Sequence, residues 1–225
     1  KKGDFANARF IVTGDGRVAK GSLEFLNYAK IDQVTPEEYI KNNNTSAIFC
    51  NLPTAKYVKN IQNKEFNLQD FIKFPDKYIS VIDKYMLTAN MLISSHYWDP
   101  KSPKLFEKND IKKYVNLKAI GDITCDINGS IPTTIRSSTI KNPYYYLDIN
   151  TFKETKDKKD SLPIMAVDNL PSELPKESSA EFGQGIVDEV LPYIINNDDG
   201  RIKKATILLK GVFLPDYNFV NEYIN

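Results

Sequence analysis

Residues 8–21 have the sequence ARFIVTGDGRVAKG, in which an apolar run leads into two glycines and then into a helical pattern. The run over residues 8–13 is short, contains β-branched side chains and stops at a glycine turn, as buried strands do. Beyond the glycines, apolar residues recur near one face of a helix, at Val18, Leu23, Leu26 and Ala29. This stretch predicts a buried strand, a glycine loop and an amphipathic helix in succession.

The glycine loop has the spacing of a phosphate-binding loop. In the dinucleotide-binding pattern the first glycine makes a tight turn, and the second lets the backbone approach the pyrophosphate. The third position is small, so that helix and strand pack closely. Gly14, Gly16 and Ala19 fill these three positions. The pattern favours a dinucleotide site at the start of the helix, and an ordinary turn between a strand and a helix is the alternative.

The choice between NAD and NADP stays open in the sequence. A carboxylate about 20 residues after the first glycine would bind the ribose of NAD, and this count reaches Val34. Asp32 and Glu37 flank that position without occupying it. Thr35 has a hydroxyl that can bind the ribose hydroxyls, and no arginine is placed to receive a phosphate. We therefore expect NAD or NADP as the cofactor, with a preference for NAD.

The rest of the chain alternates short apolar runs with helical patterns. Further strands are predicted at residues 33–34, 47–51, 91–94, 117–122 and 163–167. Helical spacing covers residues 68–85 with an interruption at Pro75, a long irregular stretch separates the last two strands, and residues 178–196 form an amphipathic helix. This alternation predicts an α/β fold of Rossmann-like, doubly wound type with a mainly parallel sheet.

Composition argues against several classes of protein. Lys and Arg number 30 against 29 Asp and Glu, and the resulting net charge of +1 argues against a nucleic-acid partner. No run reaches the ~18 apolar residues that a membrane span needs. Cys50 and Cys125 are too few for a disulfide framework, and with no signal-peptide pattern they predict a cytoplasmic location. A single histidine and two distant cysteines do not give zinc spacing, so no metal is expected.

Two later segments place aspartates at the ends of predicted strands. Residues 121–131 have the sequence GDITCDINGSI, and residues 166–177 have the sequence AVDNLPSELPKE. Open α/β sheets bind ligands at the carboxyl ends of their strands, so these aspartates are candidate ligand contacts. Turn formation and helix capping are the alternative roles for each of them.

Together with the glycine loop, these segments resemble one family. These segments are similar to lysine-forming saccharopine dehydrogenases and to the lysine–ketoglutarate reductase domain. Two further stretches share the similarity: SSHYWDPKSPKLF at residues 94–106 and STIKNPYYYLD at residues 138–148. The stretch ILLKGVFLPDYNFVNEYI at residues 207–224 resembles the end of that family, so the resemblance spans nearly the whole chain. Alanine dehydrogenase is a more distant relative within the same superfamily.

The resemblance implies an oxidoreductase that uses NAD or NADP on CH–NH bonds in lysine and saccharopine metabolism, with a small-molecule amino-acid substrate. It implies dinucleotide contacts at Gly14, Asp15, Gly16, Arg17, Val18, His96 and Tyr97. It implies that Asp122, Thr124 and Asp126 line the nicotinamide side. Asn169 would lie at the cleft beside Asp168, the candidate catalytic or positioning carboxylate. For His96, a hydrogen-bonded loop histidine is the alternative role.

The resemblance also predicts how the chain is organised. Residues 1–170 would form the dinucleotide-binding Rossmann domain, and residues 171–225 an amphipathic helix and a segment that returns to a substrate domain. In the family, the acid–base lysine and histidine come from a domain before the glycine loop, whereas about a dozen residues precede that loop here. We therefore expect a preceding substrate domain, in the same or a separate chain, and a homo-oligomer is open. An alanine-dehydrogenase-like enzyme and a non-catalytic nucleotide-binding module are the competing hypotheses.

Overall fold

The computed structural model describes residues 6–41 and 45–224 of the 225-residue chain. They belong to two compact units, one that ends at Asn169 and one that spans Leu170–Asn225. The described residues contain twelve strands: β1 (Arg9–Thr13), β2 (Asp32–Val34), β3 (Ile48–Leu52), β4 (Val58–Asn60), β5 (Tyr78–Ser80), β6 (Met91–Ser94), β7 (Ala119–Asp122), β8 (Tyr144–Asp148), β9 (Glu154–Thr155), β10 (Ser161–Met165), β11 (Leu208–Leu209) and β12 (Val212–Phe213).

The described residues also contain eight α-helices: α1 (Arg17–Tyr28), α2 (Pro36–Lys41), α3 (Thr54–Tyr57), α4 (Leu68–Lys73), α5 (Asp83–Met86), α6 (Pro175–Glu189), α7 (Leu191–Ile195) and α8 (Arg201–Ala205). Four further segments are 3-10 helices: Pro75–Lys77, Lys108–Lys113, Leu170–Glu173 and Pro215–Tyr223.

Eight strands of the first unit form one sheet in the order β2-β3-β1-β6-β7-β10-β8-β9. The first six run parallel, and β8 and β9 extend the sheet in antiparallel pairing. On one face, Ala19 and Leu26 of α1 pack in a cluster with Phe10, Val12 and Phe49. On the other face, α2 and α5 supply buried tyrosines to the larger cluster. Helices on both faces of a mainly parallel sheet confirm the predicted Rossmann-like, doubly wound α/β fold.

The strand beside β1 is β3 rather than β2. Thr13 at the end of β1 lies opposite Leu52 of β3 on one side and opposite Ser94 of β6 on the other. β2 pairs with β3 at the edge of the sheet. The chain thus builds one side of the sheet first and crosses to the other side at β6, so the strand order reverses between β1 and β6. Open α/β sheets bind their ligands at such a reversal point.

Residues 68–85 are helical only at their two ends, so the prediction of helical spacing across them is wrong in the middle. α4 stops before Pro75, which has no N–H for the helical ladder. Tyr78–Ser80 is β5, which pairs antiparallel with β4. The stretch between β7 and β10 is likewise more regular than predicted, because Tyr145 and Leu147 of β8 alternate inward and are buried.

In the second unit, the single helix predicted over residues 178–196 is two helices. α6 ends at Glu189 and α7 begins at Leu191. Pro192 lacks the N–H that would continue the helical ladder, and its ring clashes with the preceding turn. No residue of α6 or α7 is buried, and the predicted apolar stripe leaves Phe182 73% exposed.

Candidate functional site

The turn after β1 requires glycine. Gly14 has a φ of +100°, in the left-handed region that L side chains rarely adopt, and its N–H donates to the carbonyl oxygen of Leu52 over 2.9 Å. A Cβ at this position would lie 2.8 Å from the carbonyl oxygen of Ser95 and 3.0 Å from the Cα of His96. The ends of β1, β3 and β6 therefore meet closely at the first glycine of the loop.

The second glycine is not required by its own backbone. Gly16 is the N-cap of α1, with a φ of −81° and a ψ of −169° that any residue can adopt. Nothing in the described ranges lies within 4 Å of where its Cβ would be. α1 has no side-chain cap and no acidic residue in its first turn, so its first amide groups carry a partial positive charge without a capping side chain. Such a helix start suits a phosphate.

The other loop positions divide between the core and the surface. Ala19 is fully buried in the cluster with Phe10 and Val12, so this small residue lets α1 pack closely on β1. Asp15, Arg17 and Val18 are exposed beside the glycines. The three predicted contacts therefore lie where a ligand at the helix start can reach them.

Three polar side chains form a row where β1, β6 and β7 end. In the parallel register Thr13 lies opposite Ser94, and Ser94 lies opposite Asp122. All three residues are fully buried. Thr13 and Ser94 are absent from the predicted site. The signal for them is a hydroxyl residue as the last position of two apolar strands.

Asp122 is surrounded by donors. The backbone N–H of Thr124 and its hydroxyl both donate to Oδ1, over 3.1 and 2.5 Å, and the hydroxyl of Thr134 donates to Oδ2 over 2.6 Å. Burial raises the pKa of Asp122, and hydrogen bonds from Thr124, Thr134 and Ser94 oppose that rise. The carboxylate of Asp122 and the hydroxyl of Thr124 thus hold the loop after β7 to the sheet.

Three of the predicted aspartates gather around Cys125. Its thiol donates to the carbonyl oxygens of Asp122 and Val167, over 3.3 and 3.2 Å. Burial, together with the charges of Asp122, Asp168 and Asp126, raises the pKa of this thiol to about 11. Burial and the charge of Asp122 also raise the pKa of Asp126. The structure therefore brings the ends of β7 and β10, with the aspartates that follow them, to one edge of the sheet.

Asp168 and Asn169 differ from Asp122 in being exposed. They follow Val167, which bridges to Ser138 just beyond β10. Their side chains are accessible at the carboxyl edge of the sheet, while that of Asp122 is enclosed. A role in direct contact with a ligand therefore suits Asp168 better than Asp122.

His96 lies between the glycine turn and the carboxylate group. Its Nδ1 is 2.8 Å from the hydroxyl of Thr13 and 3.4 Å from that of Ser94. The imidazole is 9% exposed, and burial lowers its pKa to about 4, so the ring is neutral near pH 7. Its ring centroid is 5.6 Å from that of Tyr57. The next residue, Tyr97, is 90% exposed.

Thr35 lies apart from the glycine loop. It follows β2, which β3 separates from β1, and its hydroxyl and N–H both donate to Glu38 in a capping box for α2. The strand end nearest the loop is that of β3, followed by Pro53 and Thr54. Contact of Thr35 with a ribose stays a prediction, and the hydroxyl is already engaged at the helix start.

The described residues contain no group of three or more His, Cys, Asp or Glu side chains that could hold a metal ion. None of their helices is both long and apolar enough to cross a membrane.

The fold and the edge described above define the class of this protein: a Rossmann-like α/β domain with a glycine turn after its first strand. No protein-family model matches the chain. The chain is 27% identical over 94% of its length to alpha-aminoadipic semialdehyde synthase from Arabidopsis thaliana, and 26% identical over 95% to the mitochondrial bovine enzyme of the same name. It is also 27% identical over 74% of its length to alanine dehydrogenase 1 from Staphylococcus aureus.

These matches confirm the predicted resemblance to the saccharopine dehydrogenase and lysine–ketoglutarate reductase family within the alanine dehydrogenase-like superfamily. The chain spans 22% of the plant relative, 27% of the bovine relative and 38% of the alanine dehydrogenase. The bovine relative is named as mitochondrial, and the cytoplasmic location expected for this chain stays a prediction.

Proposed function

We propose that this chain is the cofactor-binding part of an NAD- or NADP-dependent oxidoreductase that acts on CH–NH bonds of an amino acid, in lysine and saccharopine metabolism. The observation that carries the proposal is the glycine loop at the reversal point of the sheet. Gly14 is demanded by the backbone, whereas Gly16 leaves open space in front of an uncapped helix start. The names of the relatives, an aminoadipic semialdehyde synthase and an alanine dehydrogenase, support the substrate class.

The residues of the loop fit a pyrophosphate. The first amide groups of α1 would donate to its oxygens, and the exposed Arg17 would add a positive charge at the same helix start. Ala19 keeps α1 close to β1, which holds these amides at the carboxyl edge of the sheet. A nicotinamide bound there would supply the hydride acceptor or donor of the reaction. The contribution of this chain is to bind and orient.

Asp168 is the proposed catalytic or positioning carboxylate. Forming or reducing an imine requires groups that deliver and remove protons at the nitrogen. Asp122 is buried and occupied by donors from Thr124 and Thr134, whereas Asp168 is exposed on the same edge. Asp168 would hold or accept a proton at the substrate nitrogen, with Asn169 beside it.

Further proton-transfer groups are proposed to come from a substrate domain or a second subunit. The one histidine of this chain is buried, so it is enclosed on the cofactor side. The chain spans about a quarter of its semialdehyde synthase relatives, which leaves room in such proteins for a substrate domain. The same reasoning gives the competing hypothesis, a nucleotide-binding module without turnover.

An alanine-dehydrogenase-like activity is the second candidate, favoured by the match to the Staphylococcus aureus enzyme. A coupled absorbance assay of the complete protein separates the candidates. Turnover of saccharopine with NAD, or of lysine and 2-oxoglutarate with NADPH, supports the main proposal. Turnover of pyruvate and ammonia with NADH supports the second candidate, and binding without turnover supports the module.

Millimolar NADH or NADPH is expected to raise the melting temperature of this chain. A ligand at about 100 times its dissociation constant stabilises the native state by about 2.7 kcal/mol, which corresponds to roughly 5–10 °C for a domain of this size. Differential scanning fluorimetry measures the shift, with adenosine as the control that lacks the pyrophosphate. If neither dinucleotide moves the melting temperature, the proposal of a cofactor site is wrong.

In the complete protein, Asp168→Ala is expected to lower kcat about 100-fold or more and to change the dissociation constant of the cofactor less than about threefold. Loss of a general acid or base costs 10²–10⁴ in rate, and the exposed carboxylate supports no buried structure. Steady-state kinetics and fluorescence titration with NADH measure the two quantities. Equal losses in both would assign Asp168 to cofactor binding instead.

A further inference from the structure

His96 is the single histidine of the chain and lies at the point where the strand order reverses. It follows β6, and its backbone is within 3.0 Å of where a Cβ on Gly14 would be. The residue is buried, with 9% of its surface exposed. A ligand seated on the turn at Gly14 would therefore lie beside the backbone of His96.

The hydrogen bonds around Nδ1 favour one of the two neutral tautomers of the ring. The N–H of Ser95 donates to the hydroxyl oxygen of Thr13, over 3.3 Å. While it accepts from Ser95, the Thr13 hydroxyl can donate its own hydrogen to Nδ1 of His96, 2.8 Å away. The hydroxyl of Ser94, 3.4 Å from Nδ1, also hydrogen-bonds to Asp122. When Nδ1 accepts from Thr13 in this way, the neutral ring carries its hydrogen on Nε2.

The Nε2–H group has no partner in the part of the chain that the structure describes. The two ring nitrogens point in different directions, so with Nδ1 turned to Thr13 at the end of β1, Nε2 points away from that strand end. A buried donor without an acceptor is unfavourable, and native proteins satisfy nearly all such groups. An oxygen supplied by a ligand would accept the hydrogen bond that this buried N–H group lacks.

We propose that His96 is a neutral hydrogen-bond donor whose Nε2–H binds an oxygen of the dinucleotide pyrophosphate, and that Thr13 is the residue that fixes the tautomer. This inference rests on the proposed function and deepens it, because it names the protein atom that donates a hydrogen bond to the ligand. Burial lowers the pKa of the imidazole, so the ring is neutral near pH 7. Thr13 acts through His96 and is a positioning residue.

Nitrogen NMR of the complete chain labelled at histidine tests the proposal with a single imidazole in the spectrum. The ligand-free protein is expected to show a protonated Nε2 and an unprotonated Nδ1 at pH 7. Addition of NADH is expected to shift the Nε2–H resonances and leave Nδ1 unprotonated, while adenosine, which lacks the pyrophosphate, leaves Nε2–H in place. A proton on Nδ1, or an Nε2–H that does not respond while NADH raises the melting temperature, overturns the inference. The second result would mean that a buried water or the ring of Tyr57 takes the donor.

Two substitutions give an independent measurement. His96→Met, which removes the donor, is expected to weaken NADH binding roughly 10- to 100-fold, the range for a hydrogen bond to a charged acceptor. His96→Gln places an amide N–H at the position of Nε2 and is expected to stay within about fivefold of the wild type. Equal weakening by both variants, or by neither, contradicts the donor role. If a variant fails to fold, the spectra of the wild type still decide.

The failure of this inference differs from the failure of the proposed function. If no dinucleotide changes the melting temperature or any spectrum of the wild type, the cofactor site itself is wrong. If NADH binds to the wild type and to His96→Met with equal affinity, the cofactor site stands and only the role of His96 falls.

Discussion

Gly14→Ala is expected to lower the free energy of unfolding by about 3 kcal/mol and to abolish measurable dinucleotide binding. The left-handed backbone costs an L residue about 1–2 kcal/mol. The added Cβ would also lie 2.8 Å from the carbonyl oxygen of Ser95, which is backbone at the end of β6 and has little freedom to move. Separating the ends of β1 and β6 would open the turn on which the loop depends. Urea denaturation measures the first effect and fluorescence titration with NADH the second.

Gly16→Ala provides a matched contrast in the same loop. Its backbone is extended, and the described residues leave the space around its Cβ empty, so its stability is expected to stay within about 0.5 kcal/mol of the wild type. Binding of NADH is nevertheless expected to weaken at least tenfold, because the new methyl group would stand where the pyrophosphate approaches. Gly21→Ala, inside α1 and equally free of neighbours, is the control for helix effects. Full NADH affinity in Gly16→Ala would contradict a pyrophosphate at this position.

The sequence predicts the parts of the fold that local pattern determines. The short apolar runs at β1, β3, β6 and β7 lie within one or two residues of their predicted positions, because buried parallel strands need continuous apolar side chains. The capping box between Thr35 and Glu38 is likewise local, since its two residues are three positions apart in the sequence. The order of the strands in the sheet, by contrast, cannot be predicted from local pattern. The insertion of β3 between β2 and β1 depends on packing between distant residues, and no local pattern encodes it.

That strand order limits what spacing alone predicts about the site. A count of about 20 residues from Gly14 reaches Val34 on β2 and suits a sheet in which β2 lies beside β1. Here β3 occupies that place, and the hydroxyl of Thr35 is used to cap α2. Motif spacing does not identify Thr13 and Ser94 as site residues, for the same reason. They belong to the site because the strand register places them in one row with Asp122.

Asp122→Ala is expected to destabilise the protein by about 3 kcal/mol or more. The substitution would leave the N–H and hydroxyl of the half-buried Thr124 and the hydroxyl of the buried Thr134 without their acceptor. A buried donor left unpaired costs about 1–3 kcal/mol. The raised pKa shows that burial of this carboxylate is itself unfavourable, so part of the loss is offset. Urea denaturation measures the change, and hydrogen exchange is expected to show faster exchange over residues 122–134.

Asp168→Ala is the matched control, since it removes the same carboxylate from an exposed position on the same edge. Its stability is expected to stay within about 0.5 kcal/mol of the wild type, although its turnover falls. The pair separates two roles that motif spacing assigns together. If Asp122→Ala were as stable as the wild type, the loop after β7 would be held by other contacts and Asp122 would be free to meet a ligand. If Asp168→Ala lost as much stability as Asp122→Ala, its carboxylate would be part of the scaffold and the proton-transfer role would need another group.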